Sequence, residues 1–152
     1  MKQHSDLAQK GLINENASIR DSHSIVINAK IEKVWDILIN IEGWPKWNAD
    51  ISKVQIDGKP EVGKDFQWNF NRTRIKSQFQ AIEEPKLISW SGKTRWVKEI
   101  YVWQMESDEN QTIITLSASL QGFLVTLVNN HQKVYNELIN WLEALKKRAE
   151  EE

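Results

Sequence analysis

The spacing of apolar residues changes period three times along the chain. From Ser22, "SHSIVINAK" sets Ile25 and Ile27 two apart among β-branched neighbours, which predicts a strand. In "KIEKVWDILINIEGW" the apolar Ile31, Val34, Trp35, Leu38 and Ile41 recur at three- and four-residue steps, one face of a short helix that Gly43 ends. Between Ile51 and Leu120 the period returns to two. The segments "VQI", "FQWNF", "RIKSQFQAI", "KLISWSG", "WVKEIYVWQMES" and "TIITLSASL" read as strands, separated by the turn-like "DGKPEVGK", "NRT", "EEP", "GKTR" and "SDENQ". Successive strands joined by tight turns predict an antiparallel meander. After Gly122, Leu124, Leu127, Val128, His131, Val134, Tyr135, Leu138, Trp141, Leu142 and Leu145 trace a helical stripe of about six turns that runs into "KKRAEEE", a solvated helix end.

Strand, two short helices, meander and long helix make an α+β order, in which the sheet must curl around the final helix to cover its stripe. Residues 1–17 are polar and aperiodic and read as an arm or a loosely docked lead-in. Residues 18–152, free of repeats and Gly/Ser linkers, read as a single domain.

Alternation also assigns faces. On the sixth strand Val97, Glu99, Tyr101, Trp103 and Met105 share one side, and Lys98, Ile100, Val102, Gln104 and Glu106 the other. The first side has more apolar bulk and should point inward, with Phe66, Trp68, Phe70, Ile75, Ser77, Phe79, Ala81, Ile88 and Trp90. Arg74, Lys76, Gln78 and Gln80 should then meet water.

The stretch "GWPKWN" poses a choice, because it holds two of the eight tryptophans around one of only three prolines. Trp44 and Trp47 are either an exposed stacking pair or a structural clasp. With Trp44 entering a second short helix, Pro45 takes the first helical position and Trp47 lies one turn on, on the same side. Each ring hides roughly 150–250 Å² when covered, which favours the clasp.

Composition narrows the function. A net charge of -1 and a pI near 6.3 give no overall electrostatic reason to hold a polyanion, so nucleic acid is not an expected partner. With no cysteine there is no disulfide, thiolate nucleophile or thiolate zinc site. His4 and His23 do not cluster with acidic residues at metal-ligand spacing, and HExxH, GxGxxG, P-loop and GxSxG patterns are missing. No metal and no cofactor are expected. The first residues lack the run of about 7–15 apolar residues of a signal peptide, and no stretch approaches the roughly 18 that span a membrane. The expectation is a cytoplasmic protein without membrane insertion; its oligomeric state is left open.

The segments "INAKIEKVWDILINIEGWPKWN", "EVGKDFQWNF", "ISWSGKT", "YVWQME", "LQGFLVTL" and "NELINWLEALKKRAE", in this order from about Leu12 onward, resemble the START/polyketide-cyclase-like (SRPBCC) superfamily. The resemblance implies a helix-grip fold with a cavity between curved sheet and long helix, used for lipids, sterols, polyketides or other hydrophobic molecules. Some members carry out cyclisation or dehydration. Relatives usually read "AiHvW" where this chain has "EIYVW", and carry acidic residues where it has Ser117 and Ala118. Tyr101 thus stands at the familiar His position, and Glu99 where a small residue is usual. The resemblance therefore transfers no catalytic set.

The candidate ligand-binding residues are Trp68, Phe79, Trp90 and Trp103 as walls, Glu99, Tyr101 and His131 as polar points, and Leu127 on the helix face. The tryptophans either grip a ligand or fill space. His131 is a cavity acid/base or a satisfied interior or rim histidine. Glu99 is a general base raised by desolvation, or is turned outward by a bulge, or is paired with Arg95. The leading expectation is a binder of a small hydrophobic or aromatic molecule. A cyclase/dehydratase-type enzyme and a protein-partner module similar to the chaperone-activator branch are the alternatives.

Overall fold

In the computed structural model, which describes residues 2–122 and 130–151, seven strands form one antiparallel sheet ordered β1-β7-β6-β5-β4-β3-β2. They are β1 (Ile19–Ile27), β2 (Ile51–Ile56), β3 (Asp65–Phe70), β4 (Thr73–Glu83), β5 (Leu87–Lys93), β6 (Lys98–Asp108) and β7 (Gln111–Gln121). From β2 to β7 each strand pairs with the next, as the tight turns dictate, and β1 joins the far edge beside β7. The helices are α1 (Lys2–Gln9), α2 (Ile31–Ile39), α3 (Trp44–Trp47) and α4 (His131–Glu150).

The α4 helix lies on the inner face of the sheet. Asn130 caps it by accepting a hydrogen bond from the Lys133 amide at 2.8 Å, and Lys147 and Arg148 oppose the negative end of its dipole. It buries Val134, Leu138, Trp141, Leu142, Leu145 and Ala149. The buried stripe therefore opens at Val134: His131 is exposed in the first turn, and Tyr135 is half-exposed, meeting His23 of β1 edge-on at 4.6 Å. The expected earlier part of the stripe, Leu124, Leu127 and Val128, lies outside the described residues.

The α2 helix buries Ile31, Val34, Trp35 and Leu38, the face its spacing predicts. A 3₁₀ turn, Ile41–Gly43, leads into α3, where Trp44 is wholly buried and its indole donates to the Leu38 carbonyl at 2.9 Å. Trp44 is the clasp. Trp47 packs on the core only partly and stays half-exposed at the surface.

Two features depart from simple alternation. A bulge between Phe79 and Ala81 breaks the β4–β5 register, and Gln80, expected in water, is buried. Its amide donates to Gln78 and Ser91 and accepts from Gln9 of α1. Residues 1–17, expected as an arm or lead-in, carry α1, which covers the outer face of the sheet with Ala8 fully buried against Ile100 and Val102. Ser89 Oγ donates to the Ala8 carbonyl. The outer side of β6 is thus a second, smaller apolar contact.

Candidate functional site

The inward aromatic faces do not leave a gap between them. Trp44, Phe66, Trp68, Phe79, Trp90, Trp103 and Trp141 are all fully or almost fully buried, and their rings meet at centroid distances such as 4.5 Å for Phe66–Phe79, 5.3 Å for Trp44–Trp90 and 5.2 Å for Trp103–Trp141. Close packing gives each ring dispersion contacts on both faces, which an open slot would forfeit. Trp68, Phe79, Trp90 and Trp103, expected as cavity walls, are therefore the filled core behind the cavity.

The cavity begins where this core ends. Tyr101 is the boundary: its ring stacks on Trp90 at 5.6 Å and 13°, and touches Trp68 and Trp141 at 6.2 and 5.6 Å. Beyond it is a space of about 260 Å³. Its walls are Phe70, Asn71 and Thr73 around the β3–β4 turn, Ile75, the β5–β6 loop at Thr94, Trp96 and Val97, then Glu99, Tyr101 and Leu120, with Lys133 and Glu137 of α4 opposite. Sheet and long helix both contribute, as the fold predicts. Larger grooves of about 500 Å³ lie beside α2 and on the outer face of the sheet, but none of their lining residues has a buried polar atom lacking a partner.

Glu99 has such an atom. The residue is 4% exposed, and its Oε1 has no hydrogen-bond partner among the described residues. Strand alternation turns it inward, while pairing with Gly92 and Leu120 fixes its position between β5 and β7. Gly92 makes the room. A Cβ there would sit 2.8 Å from Ser77 Oγ and 3.1 Å from Glu99 Oε1. Neither alternative expected for Glu99, an outward turn or pairing with Arg95, occurs: Arg95 lies over the Trp96 ring at 4.8 Å. On the outer side His4 of α1 donates from Nε2 to the Glu99 carbonyl at 2.9 Å, tying the helix to this strand.

Desolvation dominates the electrostatics. Burial pushes the Glu99 carboxyl up to about 8, with the charge of Glu137 adding to the shift. Burial raises Glu137 as well, opposed by Lys133 and assisted by Asp50. The Tyr101 hydroxyl is driven well above its ordinary range by burial and by the two glutamates. Near neutral pH Glu99 is therefore mostly protonated, able to donate or accept a hydrogen bond, to exchange a proton with a ligand, or to ionise beside a cation. Among the described residues, no group of three or more His, Asp or Glu is placed to hold a metal ion.

Of the residues singled out from sequence, Glu99 and Tyr101 line the cavity together. Leu127 lies outside the described residues, and His131 is exposed at the start of α4 because it precedes the first buried turn. Sequence reading turned Phe70 inward without naming it as a site residue, and it missed Gly92, Glu137, Trp96 and Lys133. Two of these carried a signal: a glycine inside a strand marks close approach, and Glu137 stands four residues before Trp141 on the buried side of the helix.

The family described as polyketide cyclase / dehydrase and lipid transport matches residues 18–150. No curated protein sequence matches the chain. Among solved structures, the fold is similar to a hypothetical protein from Helicobacter pylori, with a TM-score of 0.81 at 13% identity over 92% of this chain and 93% of that one. It is also similar to a START superfamily protein from Mycobacterium smegmatis, with a TM-score of 0.74 at 15% identity, covering 86% of this chain and 97% of that one. An aromatase/cyclase from a Streptomyces species gives 0.74 at 14% identity, covering 86% and 93%. No helix among the described residues is long and apolar enough to cross a membrane.

Proposed function

Because the chain belongs to the polyketide cyclase / dehydrase and lipid transport family, we propose that it binds a small hydrophobic or aromatic molecule in the cavity between sheet and α4. The observation that carries this reading is a buried carboxyl oxygen without a partner among the described residues, on the wall of a recess that mixes apolar and polar side chains. Leaving such a group unmatched costs stability, and a ligand that supplies a hydrogen bond relieves that cost. At about 260 Å³ the cavity lies just under the roughly 300–1,000 Å³ of most small-molecule sites, so the ligand is compact, one ring with a short side chain.

Trp96, at the rim and 48% exposed, gives the assay its signal. A panel of aromatic and short aliphatic compounds should quench tryptophan emission saturably. Thr73→Trp, which crowds the mouth from an exposed position, should weaken that binding about tenfold or more with the unfolding midpoint unchanged. If no compound quenches saturably and native mass spectrometry finds nothing carried by the purified protein, the binding reading fails.

A second reading rests on Glu99 and Tyr101 sharing one cavity. A carboxyl titrating near neutrality suits general acid/base work, and the likeness to an aromatase/cyclase points to a cyclase/dehydratase type of reaction. Conversion of a bound ketone by the unaltered protein, lost in Glu99→Gln while binding stays within about tenfold, would replace the binder with the enzyme.

A further inference from the structure

The cavity is not neutral in what it asks of a ligand. Its charged and titratable groups are Glu99 and Tyr101 from β6 and Glu137 and Lys133 from α4, while Asp50, just before β2 and outside the lining, acts on Glu137 through its charge. His4 approaches from behind, bonded to the Glu99 backbone and held low chiefly by its own burial. Two carboxyls thus face one ammonium across the cavity, with the charge of Asp50 acting on Glu137 from outside it. The rings of Phe70, Tyr101 and Trp96 line the same space, and aromatic faces attract cations.

Resting on the binding reading above, we infer that the ligand is an amine: a compact aromatic or aliphatic body carrying one ammonium group, which occupies the space between Glu99 and Glu137. The body packs on Phe70, Ile75 and Val97, and the ammonium donates to the unmatched Glu99 Oε1. An acid is disfavoured because its carboxylate, even where it accepts from protonated Glu99, would meet the charge of Glu137. A neutral hydroxyl can satisfy Oε1, but it brings no charge to add to that of Lys133 against Glu137 and Asp50.

The inference carries a proton balance. At pH 7 Glu99 holds a proton, and an arriving ammonium keeps its own, since an alkylamine of lysine type loses it only near 10.4. Binding therefore ionises Glu99 and sends its proton to solvent, with no covalent bond made or broken. Only the ionised form receives the ammonium well, so affinity should rise roughly fivefold from pH 7 to pH 8 as that form grows from about a tenth to a half of the protein.

The test is calorimetry with 2-phenylethylamine, 2-phenylethanol and phenylacetate, at pH 7 in buffers of different ionisation enthalpy. The amine should bind at least about tenfold tighter than the alcohol, phenylacetate weakest of the three, and amine binding should release close to one proton. Glu99→Gln should bring the amine down to the affinity of the alcohol and abolish the proton release. If that variant does not fold, the proton release of the unaltered protein decides alone. An alcohol that binds as tightly as the amine, or amine binding without proton release, overturns the inference and leaves the binding reading standing. If none of these three nor any member of the wider panel saturates, the binding reading fails and this inference with it.

Discussion

Glu99→Gln also tests the burial argument without any ligand. In the unfolded chain the carboxyl titrates at its ordinary 4.5, whereas in the folded protein it holds its proton to about 8. Between these values the folded state binds one more proton than the unfolded state, so stability falls as pH rises, by about 1.4 kcal/mol per pH unit. Above pH 8 both states are ionised and the slope vanishes. The full effect is roughly 5 kcal/mol, of which about 3 kcal/mol lies between pH 5 and 7.5. Glutamine has the same shape and does not titrate. Its buried amide carries a constant cost at every pH, so the slope is the quantity to measure and not the offset. Urea unfolding of both proteins at half-unit steps from pH 4.5 to 9 gives the difference in stability, in which Glu137 cancels to first order because both proteins keep it. The expected difference moves in favour of the glutamine variant by about 3 kcal/mol between pH 5 and 7.5, then levels beyond pH 8. A flat difference across that range would mean that Glu99 is hydrated and ionised, and the account of the cavity would be wrong.

Three further substitutions probe the scaffold. Trp44→Ala removes a wholly buried ring that touches Phe66, Trp68, Trp90 and Trp141, and should cost about 3–5 kcal/mol in urea unfolding, while Trp47→Ala at its half-exposed position should cost less than half as much. Gly122→Ala places a Cβ 2.0 Å from the Trp96 carbonyl at a φ of 154°, and should destabilise by about 1–3 kcal/mol with a changed Trp96 emission; an unperturbed spectrum and midpoint would show that the β5–β6 loop yields freely there.

The meander, the face of α2 and the buried stripe of α4 from Val134 onward were legible because each is encoded locally: period two or period 3.6 names the residues that turn inward. Alternation cannot say whether inward rings meet. Trp68, Phe79, Trp90 and Trp103 would show the same spacing lining a chamber or filling it, and only the arrival of Trp44 and Trp141 from two helices closes the space. Gln80 escaped because a bulge shifts the faces by one residue. The α1 helix escaped for a different reason. "KQHSDLAQ" offers only Leu7 and Ala8 to a core, too few for a periodic signal, and its docking is decided by Ile100 and Val102, far away in sequence. Glu99 was legible as an inward carboxylate, but its lack of a partner was not, since that depends on which groups Gly92, Ser77 and α4 bring beside it.

A buried, unpaired carboxyl is a poor way to stabilise a fold. An apolar side chain at residue 99 would add to the core, and Glu99 instead makes the protein less stable at every pH above 4.5. Gly92 adds a second cost, since a glycine inside a strand gives up side-chain packing, and it does so where any Cβ would crowd the carboxyl. Two residues on adjacent strands, each unfavourable alone, are thus fitted to one another, and the room that Gly92 leaves lets the Glu99 carboxyl stand on the wall of the cavity. The aromatic core sets the other limit. Tyr101, braced by Trp90 and Trp141, closes the inner end, so among the described residues the cavity does not continue into the aromatic core. On the reading proposed above, ring packing fixes how short the ligand must be, and the unmatched carboxyl fixes its polar end. A ligand that meets both recovers as binding energy part of what the empty fold gives up.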